Sequence, residues 1–218
     1  MSFAARHRND PMPVLPALPS LSVGRVDDVE QMSLLQGRDA NEIANRFDAG
    51  HRAYVARLDR APAAWGWVAT RTASIGELGT TFSVPDGERY LWNFVTLPSH
   101  RGLGVYPRLL QAILRAESEE AEQFWIAYAP ENHASASGIR KAGFVALADM
   151  SFDEAGRPAL RALQPGGATL ASRVLGLPET TQVLTPCWRC VRAGRLGMSC
   201  NGDTCQCDYQ RPESGCTK

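Results

Sequence analysis

The apolar positions along this chain change period several times, and each change marks an element. Val26, Val29, Met32, Leu34 and Leu35 make a loose helical stripe, which Ile43, Ala44 and Phe47 continue after the capping residues Asp39 and Asn41. Residues 24–50 are therefore expected to be helical, with Gly50 ending them. Strand-like runs follow at 53–58 and at 64–70, where Trp65 and Trp67 fall on one face. Residues 78–84 form a weaker run closed by the turn Pro85-Asp86-Gly87. Tyr90 to Leu97 is the best strand in the chain, aromatic and β-branched, and Pro98 stops it.

Helical period returns over 104–117, with Leu109, Leu110, Ile113 and Leu114 on one face and Arg and Glu opposite. The acidic group Glu117, Glu119, Glu120 and Glu122 falls at the C-terminal end of that helix, where the dipole disfavours it, and reads as a solvated helix end. A strand over 124–129 leads to a polar helix from Asn132 to Lys141, stopped by Gly143. Residues 144–151 and 159–163 read as a closing hairpin around Asp153-Glu154-Ala155-Gly156. Up to about residue 160 the pattern is mixed α/β with a strand–loop–helix unit at its centre.

The two ends of the chain are different in kind. Residues 1–23 carry Arg6 and Arg8 ahead of an apolar stretch, as a secretory leader would, but Pro11, Pro13, Pro16 and Pro19 break it. They read as an extended Pro-rich surface arm on a cytoplasmic protein. Residues 164–186 shift to Gly, Thr, Pro and Ser, a linker that contains or ends a helix near 170–177. All six cysteines fall in 187–218, which marks a separate module beyond the main domain at 24–163.

Composition narrows the function classes. The 218 residues are 44% hydrophobic and carry 23 basic and 23 acidic side chains, which argues against disorder and against a chain organised around a polyanion. No apolar run approaches the ~20 residues of a membrane helix.

The candidate chemistry lies in Val95-Thr-Leu-Pro-Ser-His-Arg-Gly-Leu-Gly-Val-Tyr-Pro107. A strand ends, a loop holds Gly102 and Gly104, and a helix begins. The first amides of a helix have no intrachain partner and sit at its positive pole, which suits a phosphate. Every residue from Gly102 to Tyr106 keeps its N–H, and Arg101 adds a charged donor. A second stretch, Asn132-His-Ala-Ser135 through Gly143-Phe144, follows the next strand. Together the two resemble the GNAT superfamily of acetyl-coenzyme A-dependent N-acetyltransferases, over residues ~24–160.

The resemblance implies an acyl-CoA N-acyltransferase fold, a mixed sheet with helices. It also implies a cleft between the strands Tyr90–Leu97 and Phe124–Ala129 that takes acetyl-CoA. The loop Arg101, Gly102, Leu103, Gly104, Val105 and Tyr106 would hold the pyrophosphate. Backbone groups around Phe94, Val95 and Leu97 would pair with the pantetheine arm like an added strand, and one amide would hold the oxyanion. Asn132 and Ser135 complete the cofactor set, Asn132 facing the pantetheine amides. Tyr106 stands where relatives often keep Gly or Ala, and a Tyr at a helix start can point outward. Ile139 replaces the Tyr that protonates the departing thiolate in many relatives, leaving Tyr128 and Tyr106 as substitutes. Glu77 falls where some relatives direct a base towards the amine, against the plainer reading of an exposed Glu near a turn. The implied reaction is acetyl transfer to a primary amine, small molecule or peptide, by direct attack in a ternary complex. The alternative keeps the fold as a non-catalytic acyl-CoA-binding module.

The tail runs Cys187-Trp-Arg-Cys190, then Cys200, Cys205 and Cys207, then Cys216. So short a segment needs cross-links or a metal to hold a structure. Cys-x-x-Cys is half of a tetrahedral zinc site, and Asn201-Gly202-Asp203 turns the chain to bring up the rest, so zinc on Cys187, Cys190, Cys200 and either Cys205 or Cys207 is expected, with disulfides as the alternative. Arg189, Arg192, Arg195, Arg211 and Lys218 permit nucleic-acid contact without demonstrating it.

Overall fold

The computed structural model describes residues 1–129, 131–155 and 157–183. Eight strands form one sheet in the order β10-β9-β1-β8-β7-β4-β3-β2. In chain order these are β1 (Ser2–His7), β2 (Leu21–Val26), β3 (His51–Leu58), β4 (Ala61–Ala69), β7 (Glu88–Thr96), β8 (Gln123–Tyr128), β9 (Val145–Phe152) and β10 (Pro158–Ala162). Every neighbour is antiparallel except β7 and β8, which are parallel and joined by the helix α3 (Val105–Glu117). β5 (Thr72–Ile75) and β6 (Thr80–Ser83) make a separate two-stranded sheet.

Helices cover both faces. α3 lays Val105, Leu109, Leu110, Ile113 and Leu114 on one face, each burial contributing about 1.5–3 kcal/mol before chain entropy is counted. α4 (His133–Lys141) joins it through Ile139. On the other face, α1 (Val29–Gln36) and α2 (Ala40–Asp48) cover Trp65 and Trp67, while α5 (Gly167–Leu175) packs against β9 and β10. Asp28 caps α1 through the Gln31 amide and Asp39 caps α2 through the Asn41 amide.

Three expectations fail here. The supposed surface arm starts with β1, a buried strand between β8 and β9. Phe3 and Ala5 enter the α5-side core and Ala4 the α3-side core, an alternation too short to register beside the flanking arginines and prolines. Arg6 is itself buried, donating to the carbonyls of Asp10, Pro11 and Gly143. Next, the region expected to be helical from residue 24 opens as the strand β2, paired with β3. Finally, Glu117 is not solvated: it is fully buried and accepts from Tyr54, Arg52 and Arg89.

What positions the site is a defect in β7. Trp65 pairs with Val95 and Trp67 with Trp92, so two steps on β4 face three on β7, and Asn93 takes φ +51° in the resulting bulge. On its other side β7 pairs with β8 only from Glu88–Gln123 to Leu91–Ile126. Beyond Leu91 the parallel strands part, and β7 from Trp92 to Thr96 is unpaired on that side.

Candidate active site

The loop after β7 ends at the opening of this split. Gly102 and Gly104 take φ +79° and +73°, left-handed values that favour glycine, and Gly104 serves as the N-cap of α3 without a side-chain bond. A Cβ on Gly104 would stand 2.4 Å from Arg108 Nη1, which donates to the Gly104 carbonyl at 2.6 Å. Among the described residues, nothing accepts from the amides of Gly102, Leu103, Gly104, Val105 or Tyr106. Arg101 is exposed beside them, its Nε donating to the Thr96 carbonyl at 3.2 Å. Five unpaired amides at a helix N-terminus next to a free strand edge make a cradle for an anionic group with an extended arm.

Aromatic rings floor the split. Phe94 on β7 lies over Gly66 of β4, where any Cβ would fall 2.0 Å from the ring, so only glycine fits there. Tyr106 meets Phe94 at 5.5 Å between centroids and covers Gly138 of α4. Burial pushes its pKa up to about 12, with the neighbouring Ser135 acting in the opposite direction. The expectation that Tyr106 points outward is therefore wrong: its ring joins α3 to α4. Asn132 is the N-cap of α4, its side-chain oxygen accepting from the Ser135 amide at 3.0 Å, which leaves its NH2 group as the free donor. Phe94, Val95 and Leu97 lie along the half-buried end of β7 and just beyond it, within reach of one another and of the loop.

The two expected proton-transfer residues sit apart. Tyr128 ends β8 on the lip of the split facing β7, packed against the α3-side core with Phe94 and Tyr106. Glu77 lies in a short turn, Gly76–Leu78, between β5 and β6, and its charge bears on Tyr90 in the paired part of β7. Ile139 is buried in the core and brings no hydroxyl to the split.

Residues that sequence reasoning left out surround Trp92, the first residue past the pairing. Its Nε1 donates to His51 Nδ1 at 3.0 Å, and the Arg46 guanidinium covers the rings of Trp67 and Trp92 at 5.1 and 4.8 Å. Burial, then the charges of Arg46 and Arg71, push His51 down to about 4, so it is neutral. His51 also lines an open pocket of about 580 Å³ with Arg25, Phe47, Asp48, Arg52 and Arg71. The paired tryptophans at 65 and 67 were the only hint of this cluster in the sequence.

The cysteines Cys187, Cys190, Cys200, Cys205 and Cys207 lie outside the described residues. Among the described residues, no group of three or more His, Cys, Asp or Glu side chains is placed to hold a metal. None of the described helices is long and apolar enough to cross a membrane.

Comparison with curated proteins found no match. Among solved structures, the chain resembles a GCN5-related N-acetyltransferase from Kribbella flavida at 18% identity and a TM-score of 0.47, covering 66% of this chain and 53% of that one. It spans about half of that relative's length. The aminoglycoside N-acetyltransferase AAC(6')-Iy, held with a CoA-linked bisubstrate analogue, matches at 17% identity and a TM-score of 0.45, over 57% of this chain and 90% of that one. A ribosomal-protein-alanine N-acetyltransferase from Brucella melitensis matches at 13% and 0.37, over 50% and 79%. The family model described as "Acetyltransferase (GNAT) family" matches residues 26–144, more than half of the chain, and this chain belongs to that family.

Proposed function

We propose that the protein transfers the acetyl group of acetyl-CoA to a primary amine by direct attack in a ternary complex. The observation that carries this reading is the run of unpaired amides from Gly102 to Tyr106 beside the unpaired edge of β7. In this reading the amides and Arg101 bind the pyrophosphate, and the β7 backbone from Phe94 to Leu97 lines up the pantetheine arm. A β7 amide then polarises the thioester carbonyl and holds the oxyanion as the amine attacks; loss of such a donor typically slows turnover about 10²–10³-fold. Asn132, held by the Ser135 amide, offers its NH2 group to the pantetheine. Glu77 draws the first proton from the incoming ammonium, and Tyr128 supplies the proton that the departing thiolate takes up. A thiol with a pKa near ~8.5 is a fair leaving group, so the hydroxyl missing at Ile139 slows this step without forbidding it.

Calorimetric titration with acetyl-CoA, followed by thiol-release assays on neamine, lysine, spermidine and an alanine-initiated peptide, tests the reading. Binding with turnover of at least one amine is expected. Binding without turnover would favour the non-catalytic acyl-CoA-binding module, to which the buried Ile139 points. Absence of binding would end both.

A further inference from the structure

The open pocket of about 580 Å³ lies where α1, α2, the start of β3 and the end of β4 meet, and its size suits a small ligand. Its three arginines are not equivalent. Arg25 is paired with Asp27 at 2.8 Å, and Arg52 with Glu117 and Glu120 at 2.7 and 2.6 Å. Arg71 has no carboxylate partner among the described residues. Its Nη2 donates to the Asp48 carbonyl at 2.6 Å, while its Nε and Nη1 meet no acceptor among the described residues. Gly50 makes room for this placement. At its φ of +84° a Cβ would stand 2.4 Å from Arg71 Nε, and the Thr70 hydroxyl holds the Gly50 carbonyl at 2.7 Å.

His51 supplies a second donor. The Trp92 indole donates and cannot accept, so His51 Nδ1 is the acceptor and the ring proton sits on Nε2. That N–H meets no acceptor among the described residues, yet it is not sealed in: the buried unpaired side-chain nitrogens are those of Gln36, Trp65 and Arg161. His51 therefore brings an accessible N–H to the pocket it lines. The charges bearing on its ring, Arg46 and Arg71, are both cationic and favour an anion beside it. Asp48 supplies the opposite charge. It is exposed on the same pocket, and its carboxylate has no ion-pair partner among the described residues. Val29, Ala44 and Phe47 add a half-buried apolar wall.

We propose that this pocket binds a free apolar amino acid, its carboxylate on Arg71 and His51, its ammonium at Asp48 and its side chain along Val29, Ala44 and Phe47. The charges select this class. A simple anion would satisfy Arg71 and leave Asp48 facing like charge, and a simple cation would do the reverse. A zwitterion answers both, through bonds in which donor and acceptor are each charged. The site is separate from the loop and strand edge assigned to acetyl-CoA, so binding there does not require the transferase reading.

Calorimetric titration of the full chain at neutral pH, without acetyl-CoA, tests it. The probes are leucine, 4-methylpentanoate (which lacks the ammonium), leucinamide (which lacks the carboxylate) and inorganic phosphate. Leucine should bind at one site, and each of the other three about tenfold more weakly or worse, the usual worth of one charged hydrogen-bonded contact. Arg71→Gln and Asp48→Asn change exposed side chains, and circular dichroism checks that both fold. Each should weaken leucine about tenfold. The half-ligands then separate a binding role from general damage: Arg71→Gln should leave leucinamide unchanged, and Asp48→Asn should leave 4-methylpentanoate unchanged or tighter. Absence of leucine binding, leucine no tighter than the half-ligands, phosphate tighter than leucine, or leucine affinity unchanged in both variants would overturn the proposal. Failure of every amine to turn over would end the transferase reading and leave these binding results as they stand.

Discussion

Among the described residues, two carboxylates are buried with arginine and hydroxyl partners, and they differ in how their networks end. Glu117 at the end of α3 is fully enclosed. Its oxygens accept from Tyr54 at 2.6 Å, Arg52 at 2.7 Å and Arg89 at 2.8 Å, and both arginines reach on to Glu120. Donors close it on every side, and it ties the helix to β3 and β7. Asp149 has one arginine and one serine, and it lies nearer the surface, with Ser2 in register with Tyr128 at the end of β8. A closed network of this kind can only hold structure together. Similar residue types thus stand in different surroundings, and the register of the strands decides which partners each carboxylate finds.

The contrast breaks most visibly at Glu117. Glu117→Ala leaves Arg52 and Arg89 without their buried partner and should cost about 3–5 kcal/mol of stability, read as a lowered midpoint in urea. The kcat per folded molecule should be unchanged. Tyr128→Phe is the mirror case: turnover falls about 10²–10³-fold while the urea midpoint barely moves, since only a half-buried hydroxyl is lost. An equal loss of stability in the two variants would erase the distinction.

His51 is an intermediate case, a half-buried ring whose acceptor nitrogen is taken by Trp92. Its folded pKa of about 4 lies below the ordinary 6.5, so the unfolded chain binds more protons between those values. Stability from this contact is complete above pH 6.5 and is lost as pH falls through 4. It should amount to about 1–2 kcal/mol after allowance for solvent screening of the partly exposed ring. Thermal melts of the wild type and His51→Gln at pH 7, 5.5 and 4.5 check it, and a wild-type curve as flat as the variant's contradicts it. The smallest effect is expected at Arg101, whose guanidinium is exposed: Arg101→Ala should weaken acetyl-CoA binding about tenfold, more at low salt than at high, with kcat kept. Calorimetry at two salt concentrations measures it.

Much of this was legible before folding. The loop from Arg101 to Tyr106 announces itself because its glycines, its following proline and the flanking strand and helix are local features, each set by a few adjacent residues. The periods of α3, β7 and β8 are equally local. Glu117 was misread because its partners Arg52, Tyr54 and Arg89 are 28 to 65 residues away in the chain. Tyr106 was expected outside because nothing beside it in sequence tells that Gly138 leaves room for its ring.

Taken by itself, then, the order of residues determined the strand–loop–helix unit, its free amides and the membership that follows from them, since hydrogen bonding and φ preference act over a few residues. Only the tertiary structure decided that a six-residue N-terminal segment is an inner strand, that β7 carries a bulge and parts from β8, and that Tyr128, Ser2, Asp149 and Arg161 stand in one line. Those facts depend on which strand lies beside which and in what register. Register is set by burial across the whole sheet, and no short stretch of sequence contains it.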